Sequence, residues 1–260
     1  MSSFHRSIRA AATAAIAVAP LAMASGPAIA AVTPMMQAPL IHSGSATPFF
    51  ISHGGGVRNT TVDSTNWSGY AATGSTYTSV STTFTQPAVT CKSGDQYSSF
   101  WVGLDGYSSD SVEQTGTEAD CDGRTAEYSA WYELYPAYPV TYSNTVKPGD
   151  VITETVTFSG TDTYAMTIKD TTENWTKTTT KTSSGDARSS AEVIAEAPYS
   201  NGVLPLADFG TVNFSGSTVN GASLSSFSPT GIDMATSSGT PEATIGALSG
   251  GSFSITWNSK

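Results

Sequence analysis

From Val62 onward the chain carries almost no helical periodicity, and that absence constrains its fold more than any other feature. Short runs rich in Thr, Val, Tyr and Phe alternate with clusters of Gly, Asp, Asn and Pro, the pattern of strands separated by turns. VITETVTF (151–158) sets Ile152, Val156 and Phe158 against Thr153, Thr155 and Thr157, because successive side chains of a strand face opposite sides. YAMTIKD, the turn TTEN and WTKTTTKT read as a hairpin with a polar outer face. FGTVNFSGSTVNG and GSFSITWNS supply later strands. Many antiparallel strands at this spacing predict an all-β fold, either a β-sandwich or a closed barrel. No repeat of fixed period recurs, which disfavours a propeller. SSAEVIAEAP (189–198) is the one segment where helix and strand compete. As a strand it would place Glu192, Ile194 and Glu196 on one face and Ala191, Val193 and Ala195 on the other.

The first thirty residues read as a secretory signal peptide. His5, Arg6 and Arg9 precede the apolar run AATAAIAVAPLAMA, and AIA ends the segment at Ala30. The run is short for a membrane span, and no later stretch approaches ~20 apolar residues. A secreted, extracellular protein without a membrane partner is the expectation. Residues 31–61, rich in Pro, Gly and Ser, read as a propeptide or flexible leader. Residues 62–260 suit one domain, since all-β folds of roughly 200 residues commonly form single units. The leader holds Arg58 and two histidines but no acid. It is expected to dock on the acidic domain near neutral pH and to loosen as the carboxylates protonate.

Charge divides sharply along the chain. No acid precedes Asp63, so residues 63–260 set eight lysines and arginines against all 21 acidic residues. A nucleic-acid partner would need a basic footprint and is not expected. Solvation is the plain account of such acidity. The composition also suits acid conditions, where carboxylates lose their charge and few cations remain to repel one another. Cys91 and Cys121, an even pair in an exported chain, read as a disulfide, with two buried thiols as the alternative. Closing a loop of this size contributes roughly 3–4 kcal/mol in the chain-entropy picture.

The three histidines are His5, His42 and His53, so a domain starting near Val62 has no imidazole. That removes Ser–His–Asp and Cys–His nucleophiles and His-ligated zinc. No phosphate-binding Gly-rich loop is present, and neither a metal nor a cofactor is expected. An enzyme built this way works with carboxylates, amides and hydroxyls. It would hydrolyse either glycosides through two carboxylates or peptides through a carboxylate and an activated water.

SAWYELYP places Trp131, Glu133 and Tyr135 on one face of a strand. An active site, a sugar-binding platform and a core strand with one surface acid all fit this pattern. Each other candidate has a plain reading as well: Trp101 as core, Asp105 before Gly106 as a turn residue and Gln114 as a surface strand end. Glu154, on the apolar side of its strand, reads either as a functional acid or as an edge or twisted position, and Glu192 as a solvated acid.

In order along the chain, STNWSGY, FWVGLDG, VEQTG, SAWYELYP and AEVIAEAP resemble the glutamic peptidases (eqolisins), with a weaker echo in LPLADFGTVNF. The resemblance covers about residues 66–214. It implies an antiparallel sandwich of two sheets, lectin-like (concanavalin-like) in architecture, and acid endopeptidase activity on protein or peptide substrates by a monomer. The family's catalytic Gln falls on Gln114 and its catalytic Glu on Glu196. Glu133 then matches a supporting carboxylate flanked by Trp131 and Tyr135, and Trp101 and Asp105 match positions lining the same site. A carbohydrate-active sandwich, either glycosidase or sugar-binding module, is the competing reading. It would pair Glu133 with Glu196 and leave Gln114 expendable.

Overall fold

The computed structural model describes residues 61–260. The expected signal peptide and nearly all of the expected leader therefore lie outside the described residues. The strands are β1 (Thr61–Ser64), β2 (Trp67–Thr73), β3 (Ser79–Thr85), β4 (Ser99–Leu104), β5 (Val112–Asp122), β6 (Thr125–Tyr135), β7 (Val140–Thr141) and β8 (Val151–Phe158). They continue as β9 (Thr163–Asp170), β10 (Trp175–Thr182), β11 (Ser190–Glu196), β12 (Thr211–Val219), β13 (Ala222–Ser223), β14 (Thr230–Ala235), β15 (Pro241–Ile245) and β16 (Phe253–Trp257). Among the described residues the one helical element is a single 3-10 turn, Leu224–Phe227.

Hydrogen bonding runs in the order β10-β9-β8-β3-β12-β16-β15-β14-β2-β11-β4-β5-β6-β7. The pairings along this path are antiparallel, whereas β1 adds to β14 in parallel. The path folds over on itself, so that β8 and β9 pack on β5, β8 on β4, and β3 on β11 and β4. That packing makes two layers, and the architecture is the expected β-sandwich rather than a closed barrel.

Between the layers lies the main core. Phe100, Val102, Ala191, Val193 and Ala195 face Ile152, Val156, Met166, Phe84 and Phe214. The alternation of VITETVTF and the 163–182 hairpin survives intact, with β8 pairing β9 from Ile152↔Asp170 to Phe158↔Tyr164. Segment 190–196 is a strand because both its edges are filled, by β2 on one side and β4 on the other. Both of its faces are also covered, so every residue of β11 is buried. Glu192 is therefore not the solvated acid expected of it. Glu154 is not at an edge either. It lies on an inner strand between Thr82 and Ile168, wholly buried, and burial alone raises its pKa well above the usual carboxylate range.

Cys91 and Cys121 form the expected disulfide, with Cα atoms 5.5 Å apart. The bridge fastens the chain preceding β4 to the far end of β5, next to the backbone bridge between Gln96 and Cys121. It thereby anchors the two strands that carry Trp101 and Gln114.

Candidate active site

The opposite face of β2, β4, β5, β6, β11 and β14 carries a second apolar cluster. It consists of Val62, Trp67, Ala71, Trp101, Val112, Trp131, Ile194 and Ile232, with Tyr107 and Tyr135 packed at its margin. Residues paired directly across a sheet point to the same side, so the register can be read as rows. One row runs Glu133, Gln114, Gly103, Glu192. The next runs Trp131, Gly116, Trp101, Ile194, and beyond it comes Ser129, Glu118, Ser99, Glu196, Trp67. Gln114, Glu133, Glu196, Trp101 and Trp131 thus share one face.

The middle row has a steric condition. A Cβ on Gly116 would stand 2.6 Å from Trp101 Cβ and 2.8 Å from the Trp131 ring. Glycine at this position lets the two indoles close over β5. Trp67 meets Trp101 edge-on, with ring centroids 5.0 Å apart at 77°, an arrangement that aromatic quadrupoles favour.

Two hydrogen-bonded units stand on this floor. Asn66 Nδ2 donates to Glu196 Oε1 at 3.0 Å, and Trp101 Nε1 donates to Glu196 Oε2 at 2.8 Å. One N–H on each oxygen fixes the plane of the carboxyl. In the other unit Gln114 Nε2 donates to Glu133 Oε2 at 2.6 Å. That bond fixes the orientation of the Gln114 amide, whose NH₂ carries a second N–H. Glu196, Gln114 and Glu133 are all buried, and Gln114, the third residue of β5, is therefore not the surface strand end expected of it.

Asp105 behaves differently. It follows β4 with φ 68° and accepts from the amides of Arg188 and Ser189 and from Ser189 Oγ at 3.0 Å. Its carboxylate frames the turn that launches β11, while Trp101 supplies the contact with Glu196. Asp105 is thus a turn residue and a clamp on the start of β11. Tyr135, half-buried, borders the cluster beside Trp131.

Sequence reasoning left Asn66 and Glu118 without roles. Asn66 lies inside the STNWSGY motif, but an amide beside a turn carries no chemical signature. Glu118 follows Gln114 by four residues, on the same strand face and 1% exposed. Its carboxyl lies near the Ser99 hydroxyl and the Trp131 indole N–H without closing a well-formed hydrogen bond to either. Burial, then the charges of Asp120 and Glu196, hold its pKa well above the usual range. Asp120, also buried, accepts from the Ser98 amide, yet burial pushes it up to about 8. On the core face of the same strand, burial and the charges of Asp186 and Asp105 push Glu113 up to about 9.

Residues 65–257 match the Peptidase A4 family. The chain is 31% identical over 178 residues to aspergillopepsin-2 of Aspergillus niger, an alignment covering 58% of this chain. It is 32% identical over 177 residues to scytalidopepsin B of Scytalidium lignicola, covering 66% of this chain. In both cases the match spans 62% of the relative's own length. Among solved structures, scytalido-glutamic peptidase with a peptide based transition state analog superposes with a TM-score of 0.65 at 28% identity. That superposition covers 75% of this chain and 98% of the other.

Proposed function

The chain belongs to the peptidase A4 family, and on that premise we propose that it is a secreted endopeptidase working in acid through Gln114 and Glu196. One observation carries this reading. A primary amide held by Glu133 and a carboxyl held by Asn66 and Trp101 share a single aromatic face.

Ionised Glu196 takes a proton from a water as its oxygen attacks the scissile carbonyl carbon. The carbonyl oxygen becomes negative, and the second N–H of Gln114 donates to it. Glu196, now protonated, passes its proton to the amide nitrogen. The C–N bond breaks, and a carboxylic acid and an amine leave. Glutamine suits the oxyanion role because its NH₂ donates at every pH and never acquires a charge. Trp131, Tyr135 and Trp67 offer apolar walls to the side chains of an extended or unfolded substrate. Residues 1–30 direct export.

The test is digestion of an unfolded protein at pH 3–4, within the carboxylate titration range at about 4, with a pepsin-type inhibitor present. Peptide release by the native chain and none by Glu196→Gln is the expected result. Inertness toward protein together with cleavage of an oligosaccharide would overturn the reading in favour of a two-carboxylate glycosidase.

A further inference from the structure

The proposed reaction leaves one feature unexplained. A lone glutamate base needs only to be ionised, so nothing in that chemistry stops catalysis as pH rises. A ceiling requires a second group that must keep its proton. Glu118 occupies the position such a group would need. It lies on the face of Gln114, four residues along the same strand, and one residue, Ser99 of β4, separates it from Glu196 in the register. It is 1% exposed. The charged groups acting on it are Asp120 of its own strand and Glu196 of β11, both acids. Ser99 from β4 and Trp131 from β6 offer only neutral dipoles. Glu127, opposite Asp120 on β6, adds a further acid at that end.

We propose that Glu118 is a positioning residue of the Gln114/Glu196 site, and that loss of its proton is what ends catalysis as pH rises. The inference rests on the peptidase reading above. Burial disfavours a charge on Glu118, and the neighbouring acids Asp120 and Glu196 disfavour it further. Glu196 has an N–H donor on each oxygen, whereas Glu118 has no well-formed hydrogen bond. Glu118 therefore keeps its proton at a pH where an ordinary carboxyl has lost it. When that proton leaves for solvent, the second charge acts on both halves of the reaction. It opposes the negative charge building on the carbonyl oxygen. It also strengthens Glu196's hold on the proton owed to the departing amine.

The experiment is the pH profile of kcat/KM on a fluorogenic peptide from pH 2.5 to 8, for the wild type, Glu118→Gln, Glu118→Asp and Glu154→Gln. Tryptophan fluorescence is recorded at every pH, and rates are read only where the chain is folded. Normalised to its own maximum, Glu118→Gln is expected to move the upper limb by one pH unit or more. Glu118→Asp should retain a limb, and Glu154→Gln, which alters a buried acid remote from the cleft, should leave the limb in place. A Glu118→Gln limb superposing on that of the wild type overturns the inference while leaving the peptidase reading intact. A limb moved equally by Glu154→Gln also overturns it, in favour of global unfolding. No cleavage by the wild type overturns the peptidase reading itself. If Glu118→Gln does not fold, Glu118→Leu removes the same titration and is judged by the same criterion.

Discussion

Gln114 and Glu133 stand directly opposite one another on β5 and β6, and the Gln114 amide donates to Glu133 at 2.6 Å. In the proposed mechanism Glu133 aims the Gln114 donor. Removing it leaves the amide able to rotate away from the developing oxyanion. A hydrogen bond to a charged group contributes about 1.5–3 kcal/mol, so Glu133→Ala is expected to lower kcat by about 10- to 100-fold, with a smaller change in KM. Steady-state kinetics on a peptide substrate check this. An unchanged kcat would remove Glu133 from the site.

Trp101→Phe tests the other unit. The ring still packs against Trp67, but the N–H on Glu196 Oε2 disappears. A loss of about 10-fold or more in kcat is expected, with stability lowered by about 1 kcal/mol. Kinetics and urea unfolding on the same preparation separate the two effects.

Stability should fall as pH rises. Glu113, pushed up to about 9, Asp120, pushed up to about 8, and the raised Glu154 bind protons more tightly folded than unfolded. Their contribution is complete below about 4, where the unfolded carboxyls still hold protons. For Glu113 and Asp120 it is lost as pH rises from there to 8–9, at up to about 1.4 kcal/mol per pH unit for a group inside its window. At ~2–4 °C per kcal/mol for a domain of this size, apparent Tm should drop by at least ~10 °C between pH 4 and pH 8. Glu154→Leu, set among Ile152, Val156 and Ile168, should flatten that dependence. Differential scanning fluorimetry across the range reads both outcomes.

Breaking the Cys91–Cys121 bridge as the double serine variant should cost about 2–4 kcal/mol. Activity at acid pH should survive where the chain remains folded, because the bridge only fastens the ends of the site strands. Denaturant midpoints with and without reductant provide the measurement.

Much of the fold was legible because β8, β9 and β10 keep one face polar, so their alternation and turn could be read residue by residue. Segment 190–196 could not be assigned from propensity. Its alternation serves two buried faces, and a strand buried on both sides reads no differently from a short buried helix. The same burial makes Glu192 an interior residue where composition implied solvent. The disulfide followed from an even cysteine pair in a chain whose start reads as a signal peptide. The candidate pair Gln114 and Glu196 could be singled out only through the ordered motifs, because an amide on a strand carries no chemical signature of its own. Asn66 and Glu118 escaped because their importance lies in what the register sets beside them. β5 reads polar on both faces, and nothing in VEQTGTEAD separates Glu113, on the core side, from Glu118, on the cleft side.

The most direct test of the central claim is single-turnover cleavage of a fluorogenic peptide at pH 4 by Gln114→Ala and Gln114→Glu beside the native chain. Fold is verified by near-UV circular dichroism and aspartic peptidases are blocked throughout. The account predicts that both variants bind the peptide and lose cleavage by about 100- to 1,000-fold, the loss associated with one oxyanion donor. Full cleavage by a folded Gln114→Ala protein would contradict it.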